Sequence, residues 1–203
     1  MSESASQVSS IDTNLFITVS GPPGCGATTL CDRLSDAIGC PYVAGGDIFR
    51  ELASDRDMTL NQLTAQAQES DDIDRALDQR LRSIAEKWGA ANKPFILESR
   101  LAGWLAGNRA DLRLWLDAPE EVRKDRISDR EETAAEMRVR EVSEAGRYQS
   151  YYEIDIENRE FYDLHLNTAR WDKESVFQIV RTAIEQYDTG TDEGAFATAP
   201  VEL

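Results

Sequence analysis

The chain has 203 residues, which suits one domain with a small inserted segment and a sizeable core. Hydrophobic residues make up 41% and charged residues 30%, as in globular proteins, and no apolar run approaches the about 20 residues of a membrane-spanning helix. The formal net charge of −16 argues against a nucleic-acid partner, because nucleic-acid binding needs a basic face.

The N-terminus and the cysteines indicate a cytoplasmic protein. The start, MSESASQVSSIDTN, is acidic and Ser-rich and lacks the positive and apolar regions of a signal peptide. Cys25, Cys31 and Cys40 have no C-x-x-C spacing, so we expect reduced thiols and neither a zinc site nor a disulfide.

The basic residues are unusual because only four of the 22 are lysine. An acidic, lysine-poor surface suits molar salt, where screening removes the self-repulsion of the negative charges. We hypothesise a halophilic origin; the alternative is an ordinary acidic protein.

The N-terminal part is predicted to alternate strands with helices after a disordered tail (residues 1–13). The run LFITV (15–19) is short, apolar and rich in β-branched residues, which predicts a buried strand. A Gly-rich loop and a helix that Gly39 ends follow it. CPYVAGG then predicts a second strand that runs into a Gly-Gly turn, with Asp47 as the cap of the next helix.

The middle of the chain predicts two helices, at about 59–69 and 72–88, and two further strands. The strands are PFILES (94–99) and DLRLWLDAP (111–119), the latter with its leucines on one face.

The C-terminal part predicts helices from Pro119 and over about 133–152, a fifth strand in YDLHLNT, and a last helix in KESVFQIVRTAIEQY. The lone His165 lies in that fifth strand, and we expect a packed residue there rather than a ligand. Residues 188–203 are acidic and rich in small residues, so they are predicted to be a disordered tail that follows a domain over 14–187.

Five short strands that alternate with helices predict an α/β fold: a doubly wound five-stranded parallel sheet with helices on both faces. Ligands of such sheets bind beyond the carboxyl ends of the strands.

The segment GPPGCGATT (21–29) stands between the first predicted strand and the next helix. Apart from one position it matches the phosphate-binding P-loop G-x-x-x-x-G-K-[ST], which predicts a P-loop NTPase. Gly21, Gly24 and Gly26 are expected to adopt the positive φ angles that turn backbone N–H groups inward, and the helix N-terminus adds an anion site. The predicted ATP-binding residues are Gly21, Pro22, Pro23, Gly24, Cys25, Gly26, Ala27, Thr28 and Thr29.

The departure from the motif is Ala27, which stands where the motif has lysine. Its backbone can still bind phosphate, but the ammonium that neutralises the β- and γ-phosphates is missing. Loss of one such preorganised donor costs about 10²–10³ in rate. Arg33 lies six residues further along the same helix and should point elsewhere. Two replacements remain open, namely an arginine from a lid or a bound K⁺.

Two segments supply candidate residues for an acceptor and a metal. Arg50 in GGDIFRE, with Asp47, is predicted to bind an acceptor phosphate. Glu98 and Arg100 stand at the carboxyl end of the third strand. Glu98 is expected to hold Mg²⁺ through water, together with the Thr28 hydroxyl. Arg100 is expected to bind the acceptor. Asp117 is a weaker candidate, because it could equally cap the next helix.

The run RVREVSEAGRYQSYY supplies a candidate lid. Arg140 and Arg147 are seven residues apart and point the same way from a helix. We predict that they act with Arg100 as catalytic arginines that neutralise a transferring phosphoryl group. The alternative is a solvated helix face with paired charges.

Five blocks of sequence together resemble one family. ITVSGPPGCGATT, YVAGGDIFRELA, LESRLAGWLAG, LWLDAPEEVRKDRI and REVSEAGRYQSYYEIDI…YDLHLNTARW are similar to archaeal cytidylate kinases, which are P-loop nucleoside monophosphate kinases. The resemblance covers about residues 15–184. It implies ATP at residues 21–29, the CMP phosphate at Arg50, lid arginines at Arg140 and Arg147, and adenine near Asn167 and Thr168.

The sequence therefore predicts a monomer that uses ATP and Mg²⁺ to phosphorylate CMP or dCMP. Two alternatives remain: a kinase for AMP, UMP or a non-nucleotide acceptor, and a regulator that binds ATP without turnover because of Ala27.

Overall fold

The computed structural model describes residues 10–127, 134–187 and 201–203, without the side chains of residues 134–137 and 140. Five strands form one parallel sheet in the order β2-β3-β1-β4-β5. The strands are β1 (Phe16–Ser20), β2 (Tyr42–Ala44), β3 (Phe95–Glu98), β4 (Leu112–Asp117) and β5 (Leu164–Asn167). All five predicted strands are confirmed.

Helices connect the strands. They are α1 (Ala27–Ile38), α2 (Gly45–Asp55), α3 (Leu60–Glu69), α4 (Asp72–Gly89), α5 (Ala102–Ala106), α6 (Glu120–Arg126), α7 (Ala134–Tyr152) and α8 (Lys173–Gln186), with 3₁₀ turns at Gly107–Arg109 and Thr168–Arg170. Gly39 ends α1 in the left-handed conformation, with φ 71°, as the sequence predicts.

Each face of the sheet has its own core, because successive side chains of a strand point to opposite sides. In β4 the side chains of Leu112, Leu114 and Leu116 pack with α1 and α8. Trp115 points the other way and packs with residues of α4, α5 and α7. The doubly wound fold with helices on both faces is thereby confirmed.

A third, smaller core lies in the insertion between β2 and β3. Leu52, Leu63 and Ile73 of α2, α3 and α4 form it. The start of α3 is fixed by a capping box, in which the Thr59 hydroxyl accepts from the Gln62 N–H and the Gln62 side chain accepts from the Thr59 N–H.

The start of α2 differs from the prediction. The helix begins at Gly45 with Ala44 as its N-cap, so the Gly-Gly pair lies in the first turn and Asp47 is not the cap. Gly45 is required there because a Cβ would lie 2.8 Å from Cβ of Ser99.

His165 is exposed, so the prediction of a packed position is wrong. It lies in β5, which is an edge strand. Its neighbour Leu166 points to the opposite face and is buried with the α1 and α8 core.

The two predicted tails are only partly described. Ile11 is buried and its N–H donates to the Ala37 carbonyl at 2.8 Å, and Val201 is also buried. The remaining residues, 1–9 and 188–200, lie outside the described ranges, so the domain boundaries at 14 and 187 stay predictions.

Candidate active site

A cleft of about 870 Å³ lies at the carboxyl ends of the strands, where this fold class binds its ligands. All nine predicted loop residues line it, together with Asp47, Arg50, Glu98, Arg100 and Arg147. The side chain of Arg140 lies outside the described part of the chain. The fold thus brings the predicted loop, acceptor, Mg²⁺ and lid residues other than Arg140 to one cavity, of a size typical for small ligands.

The loop turns into α1 through two glycines with positive φ angles, 78° at Gly24 and 95° at Gly26. No side chain caps the N-terminus of α1, so its first N–H groups and its dipole form an anion site. The expectation of a positive φ at Gly21 is wrong. Gly21 is required instead by close packing, because a Cβ would lie 2.3 Å from the carbonyl oxygen of Leu116.

Ala27 contributes a buried methyl group to the core beside α1 and supplies no charge to the cleft. Arg33 points away from the loop, as predicted. Its Nη1 donates to the Lys173 carbonyl at 2.8 Å and its guanidinium pairs with Glu174.

Side chains from α6 and from the segment after β5 form hydrogen bonds to backbone carbonyls of the loop. Arg123 donates to the carbonyl oxygen of Pro23 at 3.0 Å, and Arg126 donates to that of Gly24 at 3.2 Å. The hydroxyl of Thr168 donates to the Cys25 carbonyl at 2.7 Å and accepts from Arg126 at 2.9 Å. Three consecutive loop carbonyls are therefore fixed, and the Cys25 N–H donates to the Pro22 carbonyl at 3.1 Å within the loop, so the loop is held in one backbone arrangement.

The three cysteines are free thiols, as predicted, and all three are buried. Burial raises the pKa of the Cys25 thiol to about 11 and also raises the pKa of the Cys31 thiol well above its usual value. These thiols therefore stay protonated and do not act as nucleophiles.

The acceptor candidates form ion pairs at the other wall of the cleft. Arg50 pairs with Asp47, and both side chains are more than half exposed. Nε of Arg100 lies 3.3 Å from a carboxylate oxygen of Glu144 in α7. The charges of Glu98 and Arg100 both act on the pKa of Cys25 in the loop, as expected for residues that face it. Asp117 does not line the cleft; its carboxylate accepts from the Ala118 N–H at 2.7 Å.

The lid candidate α7 is joined to α4 by a largely buried ion pair. Arg147 pairs with Asp74, and its Nη1 donates to the Ser143 hydroxyl at 2.6 Å. Arg138, on the same helix, is 72% exposed. The alternative of a wholly solvated face is therefore wrong for Arg147 and holds for Arg138.

Several cleft residues were missed by the sequence analysis. They are Asp74 and Asp78 of α4, Arg126 of α6, Trp171 after the second 3₁₀ turn, and Lys173 at the start of α8. A signal existed for the two acids, because they are four residues apart beside the apolar positions of α4 and so share its buried face.

Thr168, which the resemblance assigns to the adenine region, lines the cleft, whereas Asn167 does not. The Asn167 side chain instead accepts from the Ala169 N–H at 3.0 Å.

Within the described ranges, no three His, Cys, Asp or Glu side chains cluster to hold a metal ion. A Mg²⁺ that arrives with a nucleotide needs only one or two protein ligands besides phosphates and water, which Thr28 and Glu98 can supply.

In the same ranges no helix combines the length and the apolar character needed to cross a bilayer.

A family model described as an AAA domain matches residues 17–149. The chain therefore belongs to that family, and its fold is that of a P-loop NTPase. Among solved structures, the fold is similar to that of a shikimate kinase from Bacteroides thetaiotaomicron, with a TM-score of 0.60, 16% identity, and coverage of 84% of this chain and 98% of that one.

Curated relatives define the family more narrowly. A cytidylate kinase from Haloquadratum walsbyi is 52% identical over 93% of this chain and 97% of its own. One from Haloarcula marismortui is 49% identical over the same shares, and one from Archaeoglobus fulgidus is 40% identical over 83% and 94%. The chain belongs to the cytidylate kinase family, and the first two sources fit the hypothesis of a halophilic origin.

Proposed function

We propose that the chain transfers the γ-phosphoryl group of ATP to CMP or dCMP. The observation that carries this is one cleft in which a P-loop faces Arg50, Arg100 and Arg147 from three separate elements. The relatives named cytidylate kinase support an enzyme and do not favour a regulator without turnover.

The loop would bind the ATP phosphates through the N-terminus of α1, and Thr28 with Glu98 would hold Mg²⁺, Glu98 through water. When bound, Mg²⁺ would neutralise part of the negative charge on the phosphate groups. Arg50 would bind the acceptor phosphate at the mouth of the cleft. Catalysis of this kind depends on positioning and charge neutralisation and needs no covalent intermediate.

Arg100 and Arg147 would exchange their carboxylate partners for phosphate oxygens when the substrates bind. Glu144 and Asp74 hold these guanidinium groups at the cleft wall, so little side-chain freedom remains to be lost on binding. Arg140 is proposed to join them from the same helix, seven residues before Arg147.

We propose that these arginines, rather than a P-loop lysine, supply the positive charge at the transferred group, with K⁺ as the alternative. If so, Ala27→Lys changes kcat less than tenfold, and the uncharged variant Ala27→Met, of similar length, gives a similar value. A gain of about 10²–10³ with Ala27→Lys alone would show that the charge is missing from the natural enzyme.

The direct test is ADP formation from ATP and Mg²⁺ in molar KCl, with CMP, dCMP, UMP and AMP as acceptors. We expect turnover that depends on CMP or dCMP. Arg147→Met should lower kcat by about 10²–10³, whereas Arg138→Met, on the exposed face of the same helix, should leave it unchanged. Absence of turnover with all four acceptors in the folded protein would contradict the proposal.

We further propose that the protein is a cytoplasmic monomer whose catalytic domain spans residues 14–187. Sedimentation at several protein concentrations tests the monomer, which requires one species of 22.7 kDa throughout.

A further inference from the structure

The helix α7, which carries Arg147, is held differently along its length. Its C-terminal half packs into the core through the buried rings of Tyr148 and Tyr152. Nearer the N-terminus, the apolar side chains of Val139 and Val142 are exposed, so these two residues add little packing. The polar contacts of this part of the helix are therefore important for its position.

Glu141 makes one such contact, a bidentate ion pair with Arg123 of α6. The Nη1–Oε1 distance is 2.5 Å and the Nη2–Oε2 distance is 3.2 Å. Both side chains are largely buried, with 8% of Arg123 and 19% of Glu141 exposed, so salt screens the pair little. By contrast, the pair of Arg138 with Glu120 is 3.9 Å long and Arg138 is exposed, so that pair holds the helix weakly.

The same guanidinium group of Arg123 also reaches the P-loop. Its Nη1 donates to the Pro23 carbonyl at 3.0 Å, and its Nε donates to the Ala118 carbonyl at 3.0 Å. All three nitrogens are thus engaged, which fixes the plane of this rigid group. The carboxylate of Glu141 is therefore one guanidinium away from the backbone of the loop, and Arg123 joins α7 to the loop.

The partner of Arg123 is not one that its own helix supplies. Glu120 and Glu121 lie in α6 with Arg123, but both pair with Lys124, at 2.9 and 3.3 Å. Arg123 instead takes its carboxylate from α7, 18 positions further along the chain. Neutralising a buried charge does not by itself require α7, so a partner from this helix points to a role in aligning it.

The alignment of α7 with the loop matters for the proposed reaction. The loop has Ala27 in place of the motif lysine, so the positive charge at the transferred group is proposed to come from arginines. Arg147 lies six residues after Glu141, which corresponds to about 9 Å along a helix. A misplacement of about 1 Å can cost about 10²-fold in rate, so the helix must be held at a fixed distance from the loop.

We infer that Glu141 is a positioning residue, which sets the place of the α7 arginines relative to the P-loop through Arg123. This inference rests on the proposed function and deepens it. The bond from Arg123 to the Pro23 carbonyl does not involve Glu141. Changes at Glu141 should therefore impair the transfer step more than the binding of ATP or CMP.

The test uses Glu141→Asp, which keeps the charge and shortens the side chain by one methylene group. If Glu141 only neutralised Arg123, this variant would have the activity of the natural chain. We expect instead that kcat with CMP, in molar KCl with saturating ATP and Mg²⁺, falls at least tenfold. The dissociation constants of ATP and of CMP, each measured alone by calorimetry, should change less than about threefold, because the cleft itself stays intact.

Glu141→Gln is the second variant, because glutamine keeps the length but removes the charge and one of the two acceptor oxygens. We expect a similar fall in kcat. Glu121→Gln is the matched control: it makes the same chemical change on α6, where the side chain of Glu121 is 86% exposed, and it should keep the kcat of the natural chain. If Glu141→Gln does not fold, Glu141→Asp decides the question alone.

The outcomes separate the inference from the proposed function. A kcat in Glu141→Asp close to that of the natural chain would overturn the inference, whatever Glu141→Gln does, because charge alone would then suffice. A loss of CMP affinity as large as the loss of kcat would indicate general damage to the cleft and overturn it as well. If the natural chain turns over none of the acceptors, the proposed function fails and the inference fails with it.

Discussion

The two walls of the cleft are held in different ways. The donor wall is the P-loop, where ATP is proposed to bind. There the side chains of Arg123, Arg126 and Thr168 donate hydrogen bonds to backbone carbonyls of the loop. On the acceptor side, Arg100 and Arg147 bond to the carboxylates of Glu144 and Asp74.

The difference indicates which wall is fixed and which can rearrange. A carbonyl of a tight loop has no other position to adopt, so the donor wall is preorganised. A carboxylate partner, by contrast, can be replaced by a phosphate oxygen of the same charge and similar geometry. We therefore expect the donor wall to be sensitive to shape and the acceptor wall to be sensitive to charge.

The largest effect is expected at Gly24, where shape is most restricted. Gly24→Ala would place a Cβ 2.6 Å from the Arg123 carbonyl at a φ of 78°. We expect a loss of about 4 kcal/mol in the free energy of unfolding, from strain and overpacking together, and at least tenfold weaker ATP binding. Gly146→Ala is the control, since nothing lies within 4 Å of its Cβ and alanine favours helix. Equal stability of the two variants would mean that the loop is not rigid.

Arg123 has two roles that mutation can separate: it bonds to the Pro23 carbonyl of the loop, and it forms a buried ion pair with Glu141. It is buried and pairs with Glu141, with an Nη2–Oε2 distance of 3.2 Å. Arg123→Met should cost about 3 kcal/mol, because it leaves the Glu141 charge poorly solvated and unpaired. Denaturant unfolding measures this.

A double variant sharpens the same comparison. Arg123→Met with Glu141→Gln should recover much of the stability, yet ATP binding should stay weak because the bond to the Pro23 carbonyl is still missing. If ATP affinity returns along with stability, Arg123 does not position the loop.

Because the acceptor wall contains the buried acid Asp78, we expect the free energy of unfolding to depend on pH. Burial, followed by the negative charge of Asp74, raises the pKa of Asp78 to about 7, against the opposing effects of Tyr152 and Arg147. In the unfolded chain the group titrates near 3.8, so between these values the folded state binds more protons. The free energy of unfolding should therefore fall as pH rises, by about 2 kcal/mol between pH 5 and pH 7, and level off above.

Asp78→Asn isolates this effect, because asparagine does not titrate. Unfolding curves of both proteins at constant KCl should diverge as pH rises, with the natural chain losing stability relative to the variant. Parallel curves would show that Asp78 has an ordinary pKa.

The smallest effect is expected at Thr168. Thr168→Val removes a hydroxyl that bonds to the Cys25 carbonyl and to Arg126, at a cost of about 1 kcal/mol. Thr182→Val removes an exposed hydroxyl that donates to the Gln178 carbonyl and should change stability by less than about 0.5 kcal/mol. Thermal unfolding compares the two, and a larger loss at Thr182 would contradict the expected order.

The parts of the fold that depend on local pattern were predictable. The strands are short apolar runs bounded by turn residues, and the P-loop carries its glycines in the expected setting. The start of α2 was mispredicted because Asp47 resembles a cap, whereas a tertiary contact with Ser99 sets the position of Gly45. Likewise, His165 was expected to be packed because its run is apolar, but packing depends on the place of β5 at the edge.

The part of the site that the loop backbone forms was predictable from the sequence. The contacts between side chains that are distant in the sequence were less predictable. Arg123 and Arg126 lie in the run EEVRKDR, which is also typical of a solvated helix, and only the fold places them against the loop. The partners Asp74 and Arg147 are separated by 73 positions, and no local pattern links them. Arg50, Arg100 and Arg147 were found because a P-loop fixes where cleft residues must come from.

The strand order also has a consequence for how the chain folds as it is synthesised. β1 pairs with β3 and β4, and β2 pairs only with β3, so the first two strands have no partner in each other. Phe16 can pair only after Phe95 has been synthesised, and Tyr42 only after Ile96. Non-local pairing of this kind is slow to form and leaves apolar strands exposed until it does. The first strand pairing available during synthesis is therefore with β3, which ends at Glu98 of 203 residues, so nearly half of the polypeptide must leave the ribosome before any of its strands can pair.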